Sequence, residues 1–227
     1  MVVSTGKTHT DSKFEKELSE LRTTIQEMGC RVEDMCAESI QSLVHSEPEL
    51  AREVIERDAV VNRLNLRVDE VVHQMLSLRQ PMGKDLRFIT TGLKIASDLE
   101  RVGDLSVNLA ERVLDLSQEP PLKAYVALPQ MAGTARSMLT DSLESFLQED
   151  PALAQKVIES DDFVDDLNEQ LFRELLSYMI EDPKYIGRAT RLTFISKYIE
   201  RIADHASDIG KSVIFMVKGT LHHRSGN

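Results

Sequence analysis

An all-α fold, built as two tandem, sequence-related three-helix bundles in an elongated six-helix molecule, is what this chain of 227 residues predicts. Three observations carry the prediction. Apolar residues recur at alternating spacings of three and four through nearly every long stretch, and no window alternates as a strand would. The breaks between those stretches are short and marked by proline or glycine. The second half of the chain then repeats the first at a nearly constant offset.

The first helix runs from about Asp11 to Ser46, with Leu18, Leu21, Ile25, Met28, Val32 and Met35 forming its seam. Glu47-Pro48 interrupts it, and Pro48 suits the first turn of a new helix because its missing N–H would have had no intrahelical partner there. That second helix reaches about Leu78 and points Val54, Val61, Leu64, Val68, Val71 and Met75 inward. Gln80-Pro81-Met82-Gly83 ends it. A third helix from about Lys84 to Leu116 carries Ile95, Leu99, Val102, Leu109 and Val113, followed by the linker Glu119-Pro120-Pro121.

The fourth helix, about Tyr125 to Glu149, mirrors the end of the first: Met138, Ser142 and Ser145 fall on Met35, Ser39 and Ser42. The fifth begins at Pro151 and matches the second at an offset of 103, with ten identities in the eighteen positions from Pro48 to Asn65. The sixth matches the third at an offset of 100 through Thr190, Ile195, Glu200, Arg201, Asp204 and Val213. The expected organisation is therefore a disordered tail over 1–10, one bundle over 11–118, a second over 122–219 and a second tail over 220–227.

A formal net charge of −11 opposes direct binding to a nucleic-acid backbone, and no long Lys/Arg cluster offsets it. No apolar run approaches the ~18 residues of a membrane span, and the opening residues lack the apolar core of a secretory signal. A cytoplasmic location is expected. Cys30 and Cys36, six apart on different helical faces, read as ordinary reduced thiols.

The chemistry suggested by the chain lies in its carboxylates. Leu99-Glu100-Arg101-Val102-Gly103-Asp104 and Ile199-Glu200-Arg201-Ile202-Ala203-Asp204 each set two acids four apart on one helical face. Such like-charge pairs cost roughly 0.2–0.5 kcal/mol on an isolated helix, where a Glu–Lys pair would have stabilised it. On the helical wheel Glu200, Asp204 and Asp208 fall opposite the sixth helix's apolar stripe, as Glu100, Asp104 and Asn108 do on the third. Asp58 with Asn62, and Asp161 with Asp165, flank the preceding seams at the same spacing. Acids opposite an apolar stripe are ordinarily a solvated face. Their recurrence in both halves instead points to surface cation sites formed between neighbouring helices, with oxygen donors suited to hard ions such as iron, manganese, magnesium or calcium, and with zinc less natural. Asn62 and Asn108 weaken the first of the two sites. Asp162 and Asp166 share the spacing and leave the register in the fifth helix open.

Other motifs carry less. Arg101 and Arg201 are expected to bridge to a neighbouring helix. Glu70-Val71-Val72-His73 has the Glu-x-x-His spacing of di-iron bundles, but it occurs once and points outward. His205 reads as a packed histidine. No phosphate-cradling glycine loop or nucleophilic triad is visible, so the expectation is a non-enzyme. The alternative is a metal-dependent hydrolase or oxidase using the same carboxylates.

Arg79-Gln80-Pro81-Met82-Gly83-Lys84-Asp85-Leu86-Arg87, Asp98-Leu99-Glu100-Arg101-Val102-Gly103-Asp104 and Tyr198-Ile199-Glu200-Arg201-Ile202-Ala203-Asp204-His205 together resemble the PhoU family across roughly residues 12–219. The resemblance implies two similar three-helix bundles with Glu/Asp-x-x-x-Asp motifs holding surface metal ions, iron first and zinc, manganese or magnesium after it. Carried over by residue, those motifs are Glu100 with Asp104, Glu200 with Asp204, Asp58 with Asn62, and Asp161 with Asp165. The implied function is a cytoplasmic negative regulator of phosphate uptake and phosphate-starvation signalling. The implied partners are the ATPase subunit of the phosphate ABC transporter and a phosphate-sensing histidine kinase, with homodimers also implied. Asp85 and Arg87 are candidate partner contacts, while an acid in a helix's first turn is also what the helix dipole favours.

Overall fold

The computed structural model of the chain describes residues 9–117, 122 and 127–219. They form helices α1 (His9–His45), α2 (Pro48–Arg79), α3 (Gly83–Leu116), α4 (Ala127–Gln148), α5 (Pro151–Glu181) and α6 (Ile186–Lys218), with a 3-10 turn at Pro183–Tyr185. No strand occurs among the described residues. Helix α1 opens two residues before its expected start. The expected linker Glu119-Pro120-Pro121, the expected start of the fourth helix at Tyr125, most of the expected first tail and the whole of the second lie outside the described residues.

The α1–α2 and α4–α5 turns are one turn built twice. Ser46 and Glu149, 103 residues apart, both take left-handed backbone with φ of 59° and 54°. In each, the next N–H donates back to a carbonyl five residues earlier, Glu47 to Ser42 at 2.9 Å and Asp150 to Ser145 at 2.8 Å. This is the closure that satisfies the orphan carbonyls at a helix end. Pro48 and Pro151 then open the following helices. The two starts differ in their caps: the Asp150 carboxylate accepts from the N–H groups of Ala152 at 2.8 Å and Leu153 at 3.2 Å, whereas Glu47 makes no side-chain cap.

The predicted seams are the core. Leu21, Ile25, Met28 and Val32 in α1, Ile95, Leu99 and Val102 in α3, and Ile195, Ile202 and Ile209 in α6 are buried, while Leu18 and Leu64 are only partly so. The two bundles share that core, because α3 packs on α6 and α1 on α4. Helices α3 and α6 run antiparallel, and an arginine near the start of each reaches the end of the other. Arg87 Nε donates to the Met216 carbonyl at 3.0 Å, and Arg188 Nη2 approaches the Leu116 carbonyl at 3.5 Å. Cations at helix C-termini complement the exposed carbonyl dipoles there. Leu116 and Met216 are equivalent positions of the repeat, but Arg87 and Arg188 are displaced by one residue.

The buried polar groups repeat as well. Ser39 and Ser42 in α1, and Ser142 and Ser145 in α4, are fully buried. Each hydroxyl donates to the carbonyl three residues earlier at 2.6–2.8 Å, so none needs a partner across the interface.

Candidate functional site

The acid pairs lie in the crevices where α2 covers one flank of α3 and α5 covers one flank of α6. In the first half, Asp58 Oδ2 accepts from Asn62 Nδ2 at 2.7 Å, while its Oδ1 is buried without a hydrogen-bond partner. The Asp58 Oδ1 lies 3.9 Å from where a Cβ on Gly103 would sit, an ordinary contact that places the Asp58 carboxylate beside α3 at the motif. Glu100 and Asp104 are both engaged by Arg101, Nε lying 3.6 Å from Glu100 Oε2 and Nη1 3.4 Å from Asp104 Oδ2. In the second half Asp161 is 7% exposed. Lys197 pairs with Glu200, and Lys211 Nζ donates to Asp208 Oδ1 at 2.7 Å.

Three of these carboxyls are raised from their ordinary values. Burial is the main cause for Asp58, with Asp104 adding repulsion and Asn62 opposing it. Burial again leads for Glu100, reinforced by Asp104 and Asp58 and opposed by Arg101. Asp161 is raised by burial, then by Asp204 and Asp165, with the Ser207 hydroxyl and Lys211 acting the other way. The acids of each half therefore feel one another across the helix pair, as the motif spacing suggested.

They do not form a cation site. Among the described residues no group of three or more His, Cys, Asp or Glu side chains is placed to hold a metal ion. The expected cofactor, iron with zinc, manganese or magnesium as alternatives, is corrected accordingly. Several of the acids are instead engaged within the chain: Arg101, Lys197 and Lys211 sit one to three residues from the carboxylates they pair with, and the Asn62 amide donates to Asp58. The expectation that Arg101 bridges to a neighbouring helix is corrected too, since both its partners lie on α3. Of the acids expected opposite the sixth helix's apolar stripe, Asp204 is exposed while Glu200 is 14% exposed at its side chain, and of the flanking pair on α5, Asp165 is exposed and Asp161 buried.

A raised carboxyl pKa in the folded state has a definite consequence for stability. Below an aspartate's ordinary 3.8 both folded and unfolded chains hold the Asp161 proton, and the group is neutral to stability. As pH rises from there through the folded value, the unfolded chain has already released its proton, and stability falls to a constant deficit above the window. Asp161→Asn is therefore expected to raise the thermal midpoint at pH 7 and to leave it unchanged at pH 3, measured by circular dichroism. A variant less stable than wild type at pH 7 would contradict this reading of Asp161.

Other expected residues take ordinary places. Exposed His73 sets Nδ1 2.8 Å from the Asp69 carbonyl of its own helix. Cys30 is exposed and Cys36 buried, where burial pushes its thiol up to about 12 and leaves it unreactive. Arg87 is turned to the Met216 carbonyl, while Asp85 is exposed at the rim of a cleft of about 350 Å³. That cleft lies between α1, the start of α3 and the end of α4. Glu149 spans its mouth, paired with Arg22 at 3.5 Å and Lys84 at 2.7 Å.

Beside the Arg87, Arg188 and Glu149 contacts, two more side-chain pairs join the bundles without being anticipated. His205 Nδ1 on α6 lies 3.1 Å from Asp98 Oδ1 on α3, and the Phe146 ring of α4 stacks on Phe88 of α3 at 5.3 Å. The repeat offset could not reveal them, since it pairs His205 with Leu105 and Asp98 with Tyr198.

Comparison with known proteins agrees with this architecture. The family model for the PhoU domain matches twice, over residues 25–113 and 128–213. The phosphate-specific transport system accessory protein PhoU homolog of Aquifex aeolicus is 42% identical over 209 residues, spanning 92% of this chain and 95% of that one. The homolog of the same description from Rhizobium meliloti is 39% identical, over 93% and 90%. The crystal structure of PhoU from Pseudomonas aeruginosa superposes with a TM-score of 0.89 at 34% identity, covering 91% of this chain and all of that one.

Proposed function

This chain belongs to the PhoU family of phosphate-transport regulatory proteins, and on that premise we propose that it is a cytoplasmic negative regulator of phosphate uptake and of phosphate-starvation signalling. It is a regulator in phosphate signalling and not an enzyme. The observation that carries the reading is 42% identity, over 95% of its length, to a relative described as a phosphate-specific transport system accessory protein PhoU homolog, with both repeats matched by the family model.

In this reading the chain is an adaptor between the ATPase subunit of the phosphate ABC transporter and a phosphate-sensing histidine kinase. When phosphate is plentiful it holds the kinase in the state that keeps its response regulator dephosphorylated, and it restrains the transporter. The physical support is the shared core. Both bundles are locked through α3 and α6, so a partner on one repeat and a partner on the other are held in fixed geometry with no covalent step. No described helix is long and apolar enough to cross a membrane, which suits a protein that meets membrane complexes from the water side. The metal-dependent hydrolase or oxidase reading has no carboxylate grouping to work with among the described residues.

Biolayer interferometry with the immobilised chain tests the adaptor role. Binding to the purified ATPase subunit and to the kinase's cytoplasmic portion, each at micromolar Kd or tighter, is expected. Binding to neither would overturn it.

A further inference from the structure

We propose that the outer face of α5 is a docking surface for a basic amphipathic helix of a partner protein, an inference that rests on the regulatory reading above and supplies a partner class for it. Phe172, Leu176 and Ile180, four residues apart, are 49%, 44% and 77% exposed. They form a ladder beside the buried stripe of Val164, Leu171 and Leu175 and outside it. Upstream on the same sector of the helix stand Asp162, Asp166 and Glu169, all exposed, of which Glu169 is paired with Arg173 and Asp162 and Asp166 supply the acidic end; α5 as a whole carries eight acidic and two basic side chains. One face is thus acidic in its first half and apolar in its second, over about 27 Å from residue 162 to residue 180 at 1.5 Å per residue.

The fold does not require this pattern, and the repeat itself shows it. Helix α2 occupies the equivalent position in the first bundle, 103 residues earlier. There the ladder positions are Asp69, His73 and Ser77, and the acidic positions are Ala59, Arg63 and Leu66. The same packing is therefore achieved with polar residues where α5 is apolar and without acids where α5 is acidic. Exposed apolar side chains grouped on one helical face and bordered by charge are what a helix-binding surface presents.

Charge decides the occupant. A second copy of this chain, itself at −11, would set acid on acid if the two α5 helices lay parallel, and acids on the apolar ladder if they lay antiparallel over the whole of 162–180. A partner helix with leucine- or isoleucine-type residues at one end of its contact face and Lys or Arg at the other satisfies both halves at once.

The probe is a labelled 20-residue synthetic helix with Leu/Ile over one half of its contact face and Lys/Arg over the other, titrated with the full chain by fluorescence anisotropy. The control peptide carries Glu in place of every Lys and Arg. The variant Phe172→Asp, Leu176→His, Ile180→Ser takes residues that α2 already holds in this fold, and circular dichroism checks its folding. Wild type is expected to bind the basic peptide at least tenfold tighter than the acidic one, and at least tenfold tighter than the triple variant does. A second variant, Asp162→Ala with Asp166→Arg, is expected to erase the discrimination between peptides while keeping the ladder. Equal binding by wild type and triple variant, or equal binding of both peptides to wild type, overturns the proposal. So does concentration-dependent self-association of wild type that the triple variant abolishes, since the face would then belong to a second copy. If the transporter ATPase and the kinase bind wild type and triple variant alike, the docking surface fails and the regulatory reading stands. If neither binds wild type while the peptide results hold, the reading fails and the surface stands.

Discussion

Phe146→Ala is expected to remove about 3–5 kcal/mol of unfolding free energy, the usual cost of deleting a fully buried aromatic side chain. Phe146 has no exposed surface, and its ring lies nearly parallel to that of Phe88, 12° apart at 5.3 Å. Arg22 lies 5.1 Å above the Phe88 ring centre, so one substitution on α4 disturbs a stack that includes α1 and α3. The loss is therefore at the joint between the bundles and not inside one of them. A single calorimetric transition shifted down by roughly 10 °C is the expected observation. A double-mutant cycle with Phe88→Ala should return a coupling of about 0.5–1.5 kcal/mol for the ring pair. Two separate transitions, with only the second bundle destabilised, would mean that the halves fold independently.

Gly210→Val is expected to cost about 1–3 kcal/mol, as overpacking of a close crossing does. A Cβ at Gly210 would sit 2.9 Å from the Ala154 carbonyl oxygen and 3.4 Å from the Ile158 side chain, so α6 would be driven off α5. The obstructing atom is backbone and cannot rotate away. The first repeat carries Ala110 at the equivalent position, so the same crossing there already accommodates a Cβ. Gly133→Ala on α4 is the control, with nothing within 4 Å of the added carbon. It should raise stability by about 0.5–1 kcal/mol through helix propensity alone. Chemical denaturation of the three proteins separates the two effects.

The helices and seams were legible because helical periodicity and a doubled sequence say the same thing twice. Val61 and Val68 face inward by spacing and are buried in fact, as are Val164 and Leu171 at the positions 103 residues on. The turns were legible for a local reason: Pro48 and Pro151 stand at the first helical position, where a missing N–H leaves no intrahelical bond unmade. The acid pairs were only half legible. A helical wheel puts Asp161 on the flank of its own seam, but it does not say that α6 covers that flank and buries the residue. Nor does spacing show that Arg101 would turn to Glu100 and Asp104 on its own helix. A metal site needs several donors converging from different helices, and convergence is a property of packing that one-dimensional spacing does not contain. The joint between bundles was not legible at all, because Asp98–His205 and Phe88–Phe146 pair residues that the repeat does not relate.

The most direct measurement is the output of a phosphate-starvation reporter in cells grown with ample phosphate, compared between the parent strain, a strain lacking this chain and the latter carrying it on a plasmid. A negative regulator predicts at least a tenfold rise of the reporter on deletion and a return to the parental level on complementation. A reporter that stays repressed without the chain, and rises normally when phosphate is withdrawn, would contradict the account.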